Sequence, residues 1–185
     1  MVLSTITGNL ALRIGYGRYI DVAQSHNADL RQYRLGLVWQ LSDDVWSSKS
    51  ARLASYVELG AGYWKSHLDV PYDANRVGAD EVRQISLTPM FRLIATEPFA
   101  ETLFPFLDAG VGVSYQDEED IEKEQLSGIN MGGKFQFEIR LMLGVEFGQK
   151  QQFELSYGWM HYSNAHINEI NEGMDFQTVQ FGYRF

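Results

Sequence analysis

Large apolar residues occupy every second position between residues 135 and 147. The positions between them carry mostly small, polar or charged side chains: Gln136, Glu138, Arg140, Met142, Gly144 and Glu146. Side chains of a β-strand alternate between two faces, so this period of two predicts a strand with one apolar and one polar face. The same pattern recurs at 33–41 and 53–63, which indicates a sheet.

The polar face of this sheet indicates which side is enclosed. In a soluble barrel, such as a lipocalin-like carrier, the large apolar side chains point inward, whereas in a transmembrane barrel they face lipid. The seven large apolar side chains of the 135–147 segment would overfill a narrow lumen shared with neighbouring strands. Glycine, arginine and glutamate fit such a lumen better. The apolar face is therefore predicted to face lipid.

The chain contains eight strand-like runs, the smallest common number for a closed membrane barrel. They lie near residues 10–20, 31–41, 52–65, 82–95, 103–115, 134–148, 151–163 and 174–185. Compact connections at 42–50, 96–102 and 148–150 alternate with longer or more polar ones, as in outer-membrane barrels with short periplasmic turns. The sequence predicts an all-β fold: one eight-stranded antiparallel transmembrane β-barrel domain of the outer membrane, spanning residues 1–185.

Composition excludes several classes of protein. The formal net charge of −9 argues against a nucleic-acid binder. The absence of cysteine removes disulfides and thiolate metal sites, and there is no apolar run of about 18 residues that could form a membrane helix. The first ten residues do not resemble a signal peptide, which an exported protein would need. We therefore expect this numbering to describe a mature chain with an added Met.

A reactive pair continues the apolar phase of the run from 153 to 163. His161 and Ser163 follow Trp159 on the same predicted face, and Asp175 begins the next run. A serine attacks an ester when a base accepts its proton, and a carboxylate improves that base. His-x-Ser alone is a weak pattern, and ordinary rim residues are the alternative. Three polar groups on a lipid-facing phase strengthen the catalytic interpretation.

The inward phases carry charged residues that we interpret as a luminal network of ion pairs. A proton pathway is less favoured, because a small barrel needs polar filling. His67 and His166 lie in connections without a matched set of ligands, so no metal site is expected. The predicted luminal residues are Arg13, Arg34, Arg52, Glu58, Arg92, Asp108, Glu138, Arg140 and Glu154.

The motif His161-Tyr162-Ser163-Asn164-Ala165, followed by Asn171-Glu172-Gly173 and a carboxylate twelve residues after the serine, resembles the lipid A 3-O-deacylase (PagL-type) family. The resemblance implies a Ser-His-Glu triad on the outer wall of the barrel. Carried over by position, Ser163 is the nucleophile, His161 the general base and Asp175 the orienting carboxylate, while Asn164 helps to bind the oxyanion.

This chain departs from the family in two places. Asp175 stands where the family has Glu, so Glu172 and Glu169 remain alternative third members. His166 occupies a position where a small residue such as Gly would lend a backbone donor.

The resemblance implies a serine esterase that removes the 3-position acyl chain of lipid A, the membrane anchor of lipopolysaccharide, in the outer leaflet. Its active site would face the extracellular side, among outer-membrane lipids. No cofactor, metal or nucleic acid is expected, and a homodimer is compatible with the sequence. The alternative is a non-enzymatic outer-membrane barrel that acts in adhesion or envelope stability.

Overall fold

A computed structural model describes residues 10–22, 28–67, 78–122 and 128–185. This part of the chain contains ten β-strands. They are β1 (Leu10–Tyr19), β2 (Leu30–Ser47), β3 (Ala51–Ser66), β4 (Glu81–Ala95), β5 (Phe104–Gln116), β6 (Asp120–Glu122), β7 (Gly128–Asn130), β8 (Phe135–Phe147), β9 (Phe153–Ser163) and β10 (Met174–Arg184). No helix in these residues is long and apolar enough to cross a membrane.

Eight of the strands close into an antiparallel barrel, which confirms the predicted fold class. Each barrel strand pairs with its neighbour along the chain, and β1 closes the sheet against β10. The connection between β5 and β8 holds the two-stranded hairpin β6–β7, which the sequence analysis did not predict. We call the end of the barrel with this hairpin and the residues after Ser163 the loop end. The opposite end, with the short connections after β2, β4 and β8, is the turn end.

Strand β2 is longer than predicted. Residues 42–47 were expected to belong to a connection, but they continue β2 to Ser47. The pairing of β2 with β3 shifts register between Gln40 and Ser42 and again between Ser42 and Trp46. Such bulges break the alternation of side chains while the strand continues, and a search for alternation therefore ends the strand too early.

Buried ion pairs fill the lumen, as predicted. Arg34 Nη1 lies 2.9 Å from Glu138 Oε2, and Arg140 Nη1 lies 2.7 Å from Glu58 Oε1. A second group joins Arg92 Nη2 to Asp108 Oδ2 at 2.7 Å. Inward glycines make room for these side chains: a Cβ atom at Gly36 would stand 2.8 Å from the carboxylate of Glu58.

The predicted luminal set needs two corrections. Arg52 lies outside the network. It is the second residue of β3, at the turn end of the barrel, and it donates a hydrogen bond to the backbone oxygen of Asp43. Glu146 belongs to the network and pairs with Arg92 and Arg184.

Apolar side chains close the lumen at the loop end. Trp64, Tyr162 and Phe176 point inward from three barrel strands and pack together. The β6–β7 hairpin adds Ile121 and Ile129, which are both fully buried in the same cluster. The hairpin therefore covers the barrel beside the end of β9.

Candidate active site

His161 and Asp175 are paired residues of β9 and β10, so the register of the sheet places them side by side. Nδ1 of His161 lies 2.9 Å from Oδ1 of Asp175. The neighbours of His161 along β9, Met160 and Tyr162, are fully buried in the lumen. Because side chains alternate, His161 and Asp175 lie on the outer wall of the barrel.

Trp159 completes this arrangement from the same face of β9. Its indole Nε1 donates a hydrogen bond to Asp175 Oδ1 at 2.7 Å. Its ring also stacks against the imidazole of His161, with centroids 5.4 Å apart and planes 23° apart. The alternation of the sequence predicts Trp159 only as part of the lipid-facing surface. Its polar N–H, two residues before His161 on the same face, was the available signal.

Ser163 ends β9 on the same outward phase as His161, and it is only 8% exposed. Among the residues that the structure describes, none makes a hydrogen bond to its hydroxyl. Since Nδ1 of His161 faces Asp175, Nε2 is the ring nitrogen on the side away from that carboxylate. Catalytic hydrogen bonds are often long in the absence of substrate, so this geometry is compatible with general-base catalysis.

Gly173 borders the free edge of the imidazole. A Cβ atom at this position would lie 2.7 Å from Cε1 of His161 and 3.4 Å from Nε2. A larger residue would therefore displace the imidazole or cover its Nε2 atom. The absence of a side chain at Gly173 keeps this edge open.

The chain reverses immediately after the serine. Ala165 and His166 have φ angles of 53° and 60°, and the backbone N–H of Ile167 donates to the carbonyl of Asn164 at 3.1 Å. This is a tight turn with two left-handed residues, a conformation that glycine adopts more readily. In the described part of the chain, the backbone N–H groups of Ala165 and His166 donate no backbone hydrogen bond.

Asn164 is buried beneath this turn, with 2% exposure. Its side-chain nitrogen donates to the carbonyls of Ile170 at 2.6 Å and Met131 at 3.0 Å. Its backbone N–H donates to Oδ1 of Asn171 at 2.9 Å. All these hydrogen bonds hold the loop together. One of them places the side chain of Asn171, a residue with no role predicted from the sequence, against the backbone of the residue that follows Ser163.

The alternative carboxylates have other environments. Glu172 Oε2 accepts a hydrogen bond from the backbone N–H of Asn130 at 2.6 Å, and its own N–H donates to the Asn130 carbonyl at 3.1 Å. Glu169 is exposed. Of the three candidate carboxylates, Asp175 is the one in contact with His161. Glu172 instead joins the loop after Ser163 to the β6–β7 hairpin.

Comparisons with known proteins agree with this architecture. A family model described as lipid A 3-O-deacylase (PagL) matches residues 31–184. The lipid A deacylase PagL of Pseudomonas aeruginosa is 28% identical over 146 residues, which cover 77% of this chain and 72% of that protein. The protein of the same name from Bordetella bronchiseptica is 31% identical over 134 residues, covering 72% and 64%.

A solved structure shares the fold. The crystal structure of the outer membrane enzyme PagL matches with a TM-score of 0.69 and 22% sequence identity, covering 94% of this chain and 99% of that one. The family model spans almost all of the barrel, from β2 to the end of β10. The chain therefore belongs to the lipid A 3-O-deacylase family and is an ester hydrolase built as an outer-membrane β-barrel.

Proposed function

We propose that this protein hydrolyses the acyl ester at the 3 position of lipid A, with Ser163, His161 and Asp175 as its catalytic triad. The observation that carries the proposal is the 2.9 Å contact between His161 Nδ1 and Asp175 Oδ1. His161 lies on the outer wall, on the same face of β9 as Ser163 and two residues before it in the chain. A base held in this way is oriented to accept a proton from that serine.

The proposed reaction is acyl transfer to water in two steps. Ser163 Oγ attacks the ester carbonyl carbon while His161 Nε2 takes the hydroxyl proton, and Asp175 stabilises the resulting imidazolium. The imidazolium then protonates the departing sugar oxygen, which leaves an acyl-enzyme. Water, deprotonated by His161, attacks this ester; the imidazolium then returns the proton to Ser163 Oγ as the fatty acid is released. These groups need no cofactor.

The loop after Ser163 is proposed to bind the oxyanion of the tetrahedral intermediate. Asn164, the predicted oxyanion residue, would contribute by fixing this loop, since both its side-chain and backbone donors hold loop atoms. In the part of the chain that the structure describes, donors of this loop without an acceptor include the amide nitrogen of Asn171, whose oxygen accepts from Asn164 N–H, and the N–H groups of Ala165 and His166. Preorganised donors of this kind stabilise developing charge without reorganisation.

The substrate is proposed to approach from the outer leaflet. Leu155 and Tyr157 are exposed on β9 below His161, so acyl chains can lie against the strand that carries the catalytic groups. The long connections support placing the loop end outside the cell, as in other outer-membrane barrels. Ser163 would then lie near the headgroup level of the outer leaflet, where the ester is found.

Mass spectrometry of lipid A before and after incubation with the protein in detergent tests the function. We expect loss of the mass of one acyl chain, released from the 3 position, and no loss with the Ser163→Ala variant. An unchanged lipid A mass with folded protein would contradict the proposal and favour a non-enzymatic barrel. Formation of a homodimer is a separate prediction, which cross-linking in detergent tests.

A further inference from the structure

Three basic residues that are far apart in the sequence stand side by side on the barrel. Arg18 of β1 pairs with Arg31 of β2, and Arg31 pairs with Lys65 of β3. Directly opposed residues of adjacent strands are about 5 Å apart, and like charges at this separation are destabilising. A row of three cations therefore requires anions close to it.

This cationic row of Arg18, Arg31 and Lys65 lies on the outer wall at the loop end. Each residue is one position from the end of its strand. Arg18 shares its phase with exposed Tyr16, and Arg31 shares its phase with exposed Tyr33. Their side chains are 64%, 27% and 36% exposed in the order Arg18, Arg31, Lys65. They can therefore meet groups at the membrane surface.

The cationic row lies two strands away from the candidate active site, on the same sheet. Arg18 pairs with Gln177 of β10, and Gln177 pairs with Trp159 of β9, which holds Asp175. Two strand spacings, about 10 Å, separate the backbone of Arg18 from that of Trp159. A group bound at Arg18 can thus belong to the same lipid molecule as an ester at Ser163.

Asp29 already pairs with two members of the row, and the geometry of these pairs indicates which anions the row can bind. Its Oδ1 and Oδ2 atoms lie 3.1 Å and 3.2 Å from Nε and Nη2 of Arg31, and Oδ1 lies 3.6 Å from Nε of Arg18. Two parallel contacts of this kind suit a carboxylate or a phosphate. The Arg31 hydrogen bond also lowers the pKa of Asp29, so this carboxylate stays ionised.

The most exposed cation of the row lies at the end nearest the active site. Lys65 lies 2.6 Å from Glu81 and 3.7 Å from Asp80. Asp29 contacts both arginines, at 3.1 Å from Arg31 and 3.6 Å from Arg18. The side chain of Arg18 is 64% exposed, has the longer of these two contacts and belongs to the strand beside β10.

We propose that Arg18 and Arg31 bind a phosphate group of the lipid substrate and so orient its headgroup across β10, with its ester at Ser163. Lipid A is a phosphorylated disaccharide, so the required group is on the substrate. The inference rests on the proposed function, because it assigns this phosphate to the molecule whose ester is cleaved. Asp29 is the internal anion that the phosphate displaces.

The test compares Arg18→Gln with the parent protein on lipid A and on the same lipid treated with phosphatase. We expect Arg18→Gln to raise KM for lipid A on the order of tenfold, as for loss of one charge-assisted hydrogen bond, and to leave KM for the dephosphorylated lipid unchanged. Asp29→Asn should lower KM for lipid A only. Arg83→Gln is the matched control, since Arg83 is 72% exposed at the same end but pairs with Tyr63, outside the row. It should change neither KM.

Two outcomes would overturn the proposal: equal effects of Arg18→Gln on both lipids, or no effect on either. Phosphatidylglycerol added to the detergent micelles distinguishes a substrate phosphate from any lipid phosphate. Inhibition of the parent but not of Arg18→Gln would assign the row to bulk lipid instead. Binding of both lipids to Ser163→Ala, alone and with Arg18→Gln, keeps the test valid if hydrolysis itself fails. If Ser163→Ala binds lipid A more tightly than the dephosphorylated lipid, and Arg18→Gln removes this difference, the phosphate site is supported. The proposed function would then be contradicted on its own by the absence of hydrolysis.

Discussion

Trp159 and Asp175 are joined by a hydrogen bond of 2.7 Å from the indole nitrogen to the same carboxylate oxygen that faces His161. Oδ1 of Asp175 therefore contacts a ring nitrogen from each of two positions, Trp159 and His161, on one face of β9. Since the indole of Trp159 also stacks against the imidazole, Trp159 holds both the carboxylate of Asp175 and the ring of His161 in place. A short aspartate side chain can in this way be fixed opposite the histidine.

The indole N–H can be tested by Trp159→Phe, which keeps an aromatic ring against His161 and removes the donor. We expect kcat to fall about tenfold with KM nearly unchanged, since loss of a hydrogen bond to a charged group costs roughly 1.5–3 kcal/mol. Trp39→Phe, an exposed outer-wall position on β2, is the control and should leave kcat unchanged. An unaltered kcat in Trp159→Phe would assign the indole to lipid contact alone.

The luminal network is predicted to determine stability rather than catalysis. Arg140 is buried and contacts Glu58, so Arg140→Leu leaves that carboxylate with one cation fewer. Removing one member of a buried ion pair costs about 3–5 kcal/mol, and we expect a lower temperature for the heat-induced shift in gel mobility. Activity per folded molecule should not change, because Arg140 faces the lumen. Arg52→Leu, outside the network, should alter neither quantity; loss of activity in folded Arg140→Leu would indicate a luminal active site.

The sequence predicted those parts of the fold that depend on local alternation. All eight barrel strands followed from it, whereas the end of β2 did not, because bulges interrupt the pattern. His161, Ser163 and Asp175 could be placed on one wall by their phase. The contacts of Asn164 with Met131, and of Glu172 with Asn130, join segments more than thirty residues apart. No periodicity reports such contacts, so the role of the hairpin in holding the loop needed the structure.

Gly173 tests how closely the loop must approach the imidazole. A Cβ atom at this position would lie 2.7 Å from His161 Cε1, so Gly173→Ala should push the imidazole away from its place beside Asp175. We expect kcat to fall on the order of 10²-fold, as for a displacement of about 1 Å in a catalytic group. The barrel should still fold, as judged by gel mobility. Gly128→Ala is a matched control in the β6–β7 hairpin, where the nearest atom would be 3.3 Å away, and it should be fully active. Equal activity of both variants would show that the imidazole edge need not be open.

The identity of the carboxylate is decided by comparing variants of three acidic residues. Asp175→Asn should preserve folding and reduce turnover by up to about 10⁴, because the amide no longer stabilises the imidazolium or selects its tautomer. Ser163→Ala should reduce turnover at least as much. Asp175→Glu should keep substantial activity where the backbone of β10 adjusts to the longer side chain.

Glu172→Gln and Glu169→Gln complete that comparison. Glu172 accepts a hydrogen bond from the backbone of Asn130, and glutamine retains an oxygen that can accept it. Glu169 is exposed, so its charge is screened by water. Both variants should therefore hydrolyse lipid A at nearly the parental rate, as measured by release of fatty acid per folded molecule. Parental turnover in Asp175→Asn together with an inactive Glu172→Gln would reverse the assignment and make Glu172 the partner of His161.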